Sequence, residues 1–119
     1  MTQGPERRRV GRAVVTGRLT GQASPNGEFR LLDLSPTGAG IETLALLRPG
    51  RRCVLRLPGP SGSLRLSARV IWTTIVGEEQ TPKGGRVLCY HSGLMFTALS
   101  PEQERGLASL LDRLSPEGS

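Results

Sequence analysis

The sequence is poor in the residues that catalytic and metal sites most often use. It contains one histidine, His91, and two cysteines, Cys53 and Cys89, which are not arranged in a Cys-x-x-Cys spacing. We therefore expect two buried free thiols and neither a zinc site nor a disulfide framework. The one adjacent acidic pair, Glu78 and Glu79, falls in a polar stretch that is typical of a solvated turn. These absences predict a protein that is not an enzyme and that has no metal or cofactor.

Long hydrophobic runs are also missing. The longest apolar stretches are only a few residues, such as Leu44–Leu47, and the start of the chain is charged without an apolar segment behind it. A membrane-spanning helix needs about 20 predominantly apolar residues, and a signal peptide needs an apolar central region. The sequence therefore predicts no membrane span and no signal peptide, and we expect a cytoplasmic protein.

Aromatic residues make up only 3% of the chain. They are Phe29, Trp72, Tyr90 and Phe96, and at least three of them occupy apolar strand positions where we expect them to be in the core. Proteins that bind single-stranded nucleic acid stack bases on exposed rings. The scarcity of aromatics therefore argues against a basic nucleic-acid-binding barrel, which a pI near 10.9 and a small β-fold keep as an alternative.

Basic residues outnumber acidic ones by sixteen to ten, which gives a net charge of +6, and all of them except Lys83 are arginine. Arginine binds phosphate and the guanine edge with two parallel hydrogen bonds, although a GC-rich genome produces the same bias without a function. Four arginines lie within six residues in "RRRVGR", at Arg7, Arg8, Arg9 and Arg12. Like charges this dense repel each other, so the stretch predicts a flexible basic arm, a site for an anion, or both.

Glycine and proline are spread between short apolar segments, and 119 residues suffice for one domain. This distribution predicts an all-β fold of about six strands. The turn sequence "SPNG" indicates a hairpin between the first two strands. We expect strands at Ala13–Leu19, Glu28–Leu34, Gly40–Thr43, Arg52–Leu57, Leu64–Thr74 and Arg86–Phe96, with the polar segment Gly77–Gly85 connecting the last two.

The clearest alternation of apolar and polar residues lies in "LRLSARVIWTT". It predicts a half-buried strand whose core face carries Leu64, Leu66, Ala68, Val70 and Trp72. The opposite face, which includes Arg65 and Arg69, is expected to meet solvent.

The last element has a helical period. Its leucines, at Leu107, Leu110, Leu111 and Leu114, fall on one face of a helix that needs to dock on a core. Ser100 and Gln103 have the spacing of a capping box, and Pro101 occupies the first helical position between them. We therefore predict that the helix begins at Pro101.

A second polar motif follows the second predicted strand. "DLSPTGAG" places Asp33, Ser35 and Gly38 at the spacing D-x-S-x-x-G. Such a string often does no more than close a turn through its own side chains. Here, however, the hairpin returns the chain to the end of the sheet where the arginines enter, so the two motifs are expected to share one ligand.

Together the motifs resemble those of PilZ domains, bacterial receptors for cyclic di-GMP. The resemblance rests on R-x-x-x-R at Arg8 and Arg12, the D-x-S-x-x-G motif, the Trp-bearing strand "ARVIW", the segment "GLMF" that ends the last predicted strand, and the C-terminal helix. It implies a six-stranded antiparallel PilZ-type β-barrel with a C-terminal α-helix. It further implies a flexible basic N-terminal arm at residues 1–12, a PilZ domain at 7–114 and a tail at 115–119.

The resemblance also implies a ligand and its contacts. Cyclic di-GMP carries two phosphodiesters and two guanines; arginine can serve both, while an aspartate accepts the guanine N1–H and N2–H groups. An arginine at the Arg7 position accompanies binding of a stacked ligand dimer in the family. The implied contacts are Arg7, Arg8, Arg12, Asp33, Ser35 and Gly38, with Arg9 and Gly40 as further candidates.

The sequence gives less information about how such a receptor passes on its signal than about its ligand. The resemblance implies a signal passed by conformational change to an unidentified protein effector of a motility, secretion or polysaccharide system, without choosing among the three. A PilZ fold that serves only as a protein-interaction module, with a silent nucleotide pocket, is the main alternative.

Overall fold

The structure, a computed structural model, describes residues 13–15, 19–59 and 62–114. Within these ranges the chain forms strands and one C-terminal helix. The elements are β1 Ala13–Val14, β2 Thr20–Ser24, β3 Gly27–Leu34, β4 Gly38–Thr43, β5 Arg52–Gly59, β6 Gly62–Gln80, β7 Arg86–Phe96 and α1 Pro101–Leu114.

The strands form one antiparallel sheet that closes on itself. Its order is β1-β3-β2-β5-β6-β7-β4, and the additional pairing of β3 with β4 closes the ring. The six strands β2 to β7 thus make the ring, while the two-residue β1 pairs with the end of β3. The predicted six-stranded antiparallel barrel with a C-terminal helix is confirmed.

The first hairpin differs in detail from the sequence prediction. The turn at "SPNG" is confirmed, and Gly27 has a φ of 103°, which glycine adopts without strain. The strand that pairs through this turn is Thr20–Ser24, however, and not Ala13–Leu19. Of the described residues in that range, Ala13 and Val14 form a strand, whereas Val15 and Leu19 do not. The short β2 buries only Ala23, so its apolar pattern was too weak to be recognised.

The hairpin of β6 and β7 is longer than predicted. The segment Gly77–Gly85 was expected to be a connection, but β6 continues to Gln80 and pairs with Arg86–Leu88 of β7. An ion pair of 3.3 Å between Glu78 Oε1 and Arg86 Nη1 joins the two strands there. Polar residues extend the strand because both of its faces meet solvent, so alternation could not reveal it.

The core fills the barrel and the space under the helix. Cys53, Leu55 and Leu57 alternate with exposed residues along β5 and are buried, and both cysteines are buried free thiols as expected. Leu107 and Leu110 of α1 join this core. The other members are mostly aliphatic: Leu31, Leu34, Ile41, Leu47, Leu64, Leu66, Val70 and Leu94, with Phe29.

Trp72 is the main correction to the predicted core. The register of β6 against β7 shifts between Val70 and Trp72, which is a β-bulge. A bulge adds one residue and so reverses the faces that follow it. Trp72 is therefore 50% exposed, beside Ile71 at 47%, instead of buried. Because one of the few aromatics is exposed, the argument against nucleic-acid binding loses part of its basis.

The helix begins as predicted. The Gln103 backbone N–H donates to Ser100 Oγ at 3.1 Å, and the Ser100 backbone N–H donates to Gln103 Oε1 at 2.8 Å, which is a complete capping box. Leu111 and Leu114 pack against the core from its margin. In the part of the chain that the structure describes, no helix has the length and apolar content needed to cross a membrane.

Candidate functional site

The loop between β3 and β4 is closed by Ser35. Its Oγ accepts hydrogen bonds from the backbone N–H groups of Thr37 at 3.2 Å and Gly38 at 3.1 Å. The Ser35 backbone N–H donates to the Gly38 carbonyl at 2.9 Å. The Ser35 side chain, which is buried, therefore holds the loop in shape, as a serine in such a turn can do. Its contact with a ligand remains a prediction.

Asp33 lies on β3, two residues before Ser35. It lies opposite Gly40 of β4 and opposite Val14 of β1. A Cβ atom at Gly40 would lie 2.9 Å from Asp33 Oδ2 and 3.1 Å from Oδ1, so the carboxylate occupies the space that a side chain would need. A Cβ at Gly38 would collide with the carbonyl oxygen of Leu94. Both glycines thus have a packing reason besides the ligand access that was predicted.

Trp72 lies over another glycine on the same outer surface. It is opposite Gly93 of β7, and a Cβ there would collide with the indole, whose Cδ1 would be 3.0 Å away. The ring therefore rests against the β7 backbone while half of its surface stays exposed. This position makes it available to a flat ligand.

These residues surround one pocket on the outside of the barrel. The pocket has a volume of about 200 Å³ and opens between the β3–β4 loop and the β6 bulge. It brings together three of the predicted contacts and the candidate Gly40 with apolar residues that the sequence did not assign to it. Its lining includes Asp33, Ser35, Gly38, Gly40, Ile71, Trp72 and Met95.

A charged group lies farther along the same face. Glu42, next to Gly40 by strand alternation, accepts from Arg30 Nε at 3.0 Å and lies 3.0 Å from His91 Nε2. Burial raises the pKa of Glu42, but the hydrogen bonds with His91 and Arg30 outweigh it, so this pKa is below its ordinary value. Burial and the nearby Glu42 raise the pKa of the Cys89 thiol. Cys89 and His91, two residues apart on β7, both interact with Glu42.

The arginine motif lies outside the described residues. Arg7, Arg8, Arg9 and Arg12 all precede Ala13, where the description begins. Ala13 is opposite Leu34, the residue before Ser35. The chain therefore enters the barrel beside the loop that carries the D-x-S-x-x-G motif.

The sequence matches the model of the PilZ domain over residues 6–113. The chain belongs to the PilZ domain family. Comparison with curated protein sequences finds no match.

Solved structures show the same PilZ fold. The chain is similar to the PilZ domain with c-di-GMP of YcgR from Escherichia coli, with a TM-score of 0.65 and 22% identity, covering 89% of each chain. It is also similar to MrkH, described as a c-di-GMP-dependent transcription regulatory factor, with a TM-score of 0.61 and 16% identity. That match covers 87% of this chain and 48% of MrkH, so this chain spans about half of MrkH. A MrkH–c-di-GMP complex from K. pneumonia gives a TM-score of 0.57 at 18% identity over 84% of this chain and 48% of that chain.

Two features of this surface were missed by the sequence analysis. The exposure of Trp72 depends on a bulge, and simple alternation gives no signal for it. The contacts of Glu42 with Arg30 and His91 join the consecutive strands β3 and β4 to β7, which is distant from them in sequence. The register of those strands was the missing information.

Proposed function

We propose that this PilZ domain is a receptor for cyclic di-GMP that signals through a protein partner. The observation that carries the proposal is the position of the pocket. Asp33 and Gly40 lie side by side at the edge where the chain enters from its arginine-rich start, which supports one shared ligand. The solved PilZ domain of YcgR, with the same fold, is described with c-di-GMP.

Covalent geometry limits how far the arginines can be from the pocket. The Cα of Arg12 is about 3.8 Å from that of Ala13, since consecutive Cα atoms keep that spacing. Arg8 is five residues from Ala13, so its Cα is at most about 18 Å away when the chain is fully extended. A long guanidinium side chain adds to this reach. Both members of R-x-x-x-R can therefore reach a ligand in the pocket.

The residue types fit the ligand. A guanidinium can donate two parallel bonds to guanine O6 and N7 or to a phosphate. Asp33 supplies the acceptor that arginine lacks, for the N1 and N2 donors of guanine. Trp72 offers a half-exposed ring on which a base can stack, worth about 1–3 kcal/mol per base in comparable sites. The proposed contacts are Arg7, Arg8, Arg12, Asp33, Ser35, Gly38 and Trp72.

The proposed signal is an ordering of the arm. A basic segment gains charge-assisted hydrogen bonds when a dianion arrives, and its new position changes the surface next to β1 and β3. A protein partner that reads this surface would complete the pathway. The domain acts in this account as a receptor and adaptor, with the nucleotide as ligand and not as substrate.

Isothermal titration calorimetry of the full chain tests the proposal. Cyclic di-GMP should bind, while GMP and cyclic di-AMP should bind much more weakly, and the stoichiometry counts the ligands. Arg12→Ala should weaken binding by at least about tenfold, the value of one charge-assisted hydrogen bond. Arg113→Ala, which removes an equal charge from the last turn of α1, should not. Equal affinity of the wild type and Arg12→Ala would contradict the proposal.

A further inference from the structure

A second basic surface lies on the outside of β5 and β6. Arg56 is directly opposite Arg65, and Arg52 is directly opposite Arg69. All of them are exposed except Arg69, which is half-buried. We call this group the arginine face. Like charges directly opposite each other destabilise a sheet, so these two pairs lower the stability of the isolated domain.

The described residues offer these arginines no carboxylate partner. The ion pairs among those residues involve Arg30, Arg86 and His91 as cations, and none involves the arginine face. Arg69 Nη1 donates only to the carbonyl of Gly50, at 3.3 Å. The positive charge of the face is therefore available to an anion.

One of the arginine pairs, Arg56 and Arg65, lines a groove. The other pair, Arg52 and Arg69, lies four positions away along each strand, which corresponds to about 13 Å. Between them Val54 lies opposite Ser67, and Ser24 of β2 lies beside Val54. These short side chains form the floor of a groove of about 330 Å³ that also reaches Arg56, Arg65 and Gln103.

The helix fixes one wall of the groove. Gln103 Nε2 donates to the carbonyl of Arg65 at 2.7 Å, so the start of α1 is held against β6. On this side Glu102 lines the surface next to Arg65. On the other side Glu28 lies opposite Gln22, whose other neighbour is Arg56. Across the strands, an acidic residue therefore lies on each side of the pair formed by Arg56 and Arg65.

These limits favour a narrow ligand. A nucleic-acid duplex needs about 600–1,000 Å² of protein surface even for a single module, and its phosphates would then overlie Glu28 and Glu102. A single extended chain that runs along β5 and β6 meets both arginine pairs. The face also lacks an aromatic side chain that could stack a base: its described positions are arginine, serine, valine and glutamine.

We propose that the arginine face binds an acidic segment of a partner protein in extended conformation. In an extended chain, carboxylates four residues apart lie on the same side and about 13 Å apart, which matches the distance between the arginine pairs. Arginine is suited to the task because its guanidinium binds a carboxylate with two parallel hydrogen bonds.

This inference rests on the proposed function in that it names the class of partner that the receptor would contact. The two surfaces share β6. Arg69 is opposite Met95, which lines the nucleotide pocket, so the acidic segment and the nucleotide would be bound by neighbouring parts of one sheet.

Fluorescence anisotropy with a labelled octapeptide of alternating glutamate and serine tests the inference. An extended form of this peptide presents carboxylates along one side. The full chain should bind it, and the double variant Arg56→Gln/Arg65→Gln should bind it about tenfold more weakly. The matched control is Arg86→Gln/Arg113→Gln, which removes two charges elsewhere and should leave most of the affinity. A peptide of alternating glutamine and serine should not bind.

Three outcomes would overturn the inference. They are a peptide affinity that is unchanged in Arg56→Gln/Arg65→Gln, an equal loss in the control variant, and tighter binding of a mixed-sequence DNA duplex that depends on the same arginines. Calorimetry with cyclic di-GMP on the same variants separates the two proposals. Arg56→Gln/Arg65→Gln should bind nucleotide like the wild type, so absence of nucleotide binding in every protein would refute only the proposed function.

Discussion

The substitution Gly40→Ala should weaken cyclic di-GMP binding without unfolding the domain. The added Cβ would lie 2.9 Å from Asp33 Oδ2 and 3.1 Å from Oδ1. Ordinary contacts of a carbon atom are about 3.5 Å or longer. The carboxylate therefore has to move by about half an ångström or rotate away, and the proposed hydrogen bonds of Asp33 to guanine would then be misplaced.

The size of the effect follows from those hydrogen bonds. A hydrogen bond to a charged group contributes about 1.5–3 kcal/mol, so losing the Asp33 contact should weaken binding by roughly tenfold to 150-fold. The free energy of unfolding should change by no more than about 1 kcal/mol, because alanine in place of glycine favours the strand by about 0.5–1 kcal/mol and offsets the displaced carboxylate.

A double-mutant cycle measured by calorimetry makes the test specific. In an Asp33→Ala background, Gly40→Ala has no carboxylate to displace and should have little further effect. Gly77→Ala is the matched control, because a Cβ there meets no atom within 4 Å. If the losses in binding free energy of Gly40→Ala and Asp33→Ala are additive, the argument that Gly40 leaves room for the Asp33 carboxylate is refuted.

Three further predictions follow. Trp72 is the only tryptophan, so cyclic di-GMP should change the intrinsic fluorescence, and an unchanged spectrum at saturation would show that no base stacks there. Glu42→Gln should lower the free energy of unfolding by about 1 kcal/mol at neutral pH. Because the folded pKa of Glu42 is lowered, this difference should vanish in urea titrations as pH falls well below 4.5; a constant difference would contradict it. Leu110→Ala should cost about 2–5 kcal/mol in thermal unfolding, and a smaller loss would mean that α1 is not docked as described.

The sequence predicted the barrel because local signals agreed with the global fold. Turn residues, the one-sided alternation from Leu64 to Val70 in β6 and the capping box of α1 each depend on neighbours within a few positions, and the structure has all three. The position of the D-x-S-x-x-G motif near the start of the chain could also be predicted, since a hairpin returns the chain to the edge of the sheet where it began. The observed pairing of β1 with the end of β3 agrees with that argument.

The remaining features depend on contacts that a linear pattern does not contain. The bulge before Trp72 comes from the register between β6 and β7, which the alternation of β6 alone cannot give. Position 40 needs a glycine because the Asp33 carboxylate of the next strand occupies the space of a side chain. Likewise, Arg56 and Arg65 can be recognised as an opposed pair only once the register of β5 and β6 is known. The register between paired strands is therefore the main information that the sequence analysis lacked.

The convergence of the two motifs on one nucleotide is tested most directly by amide NMR of the full chain during a titration with cyclic di-GMP. The account predicts that amides at residues 7–12, at Asp33–Gly40 and the indole N–H of Trp72 shift together and saturate at the same ligand concentration. Shifts confined to the arginine-rich start, with Asp33–Gly40 unchanged at saturation, would contradict it.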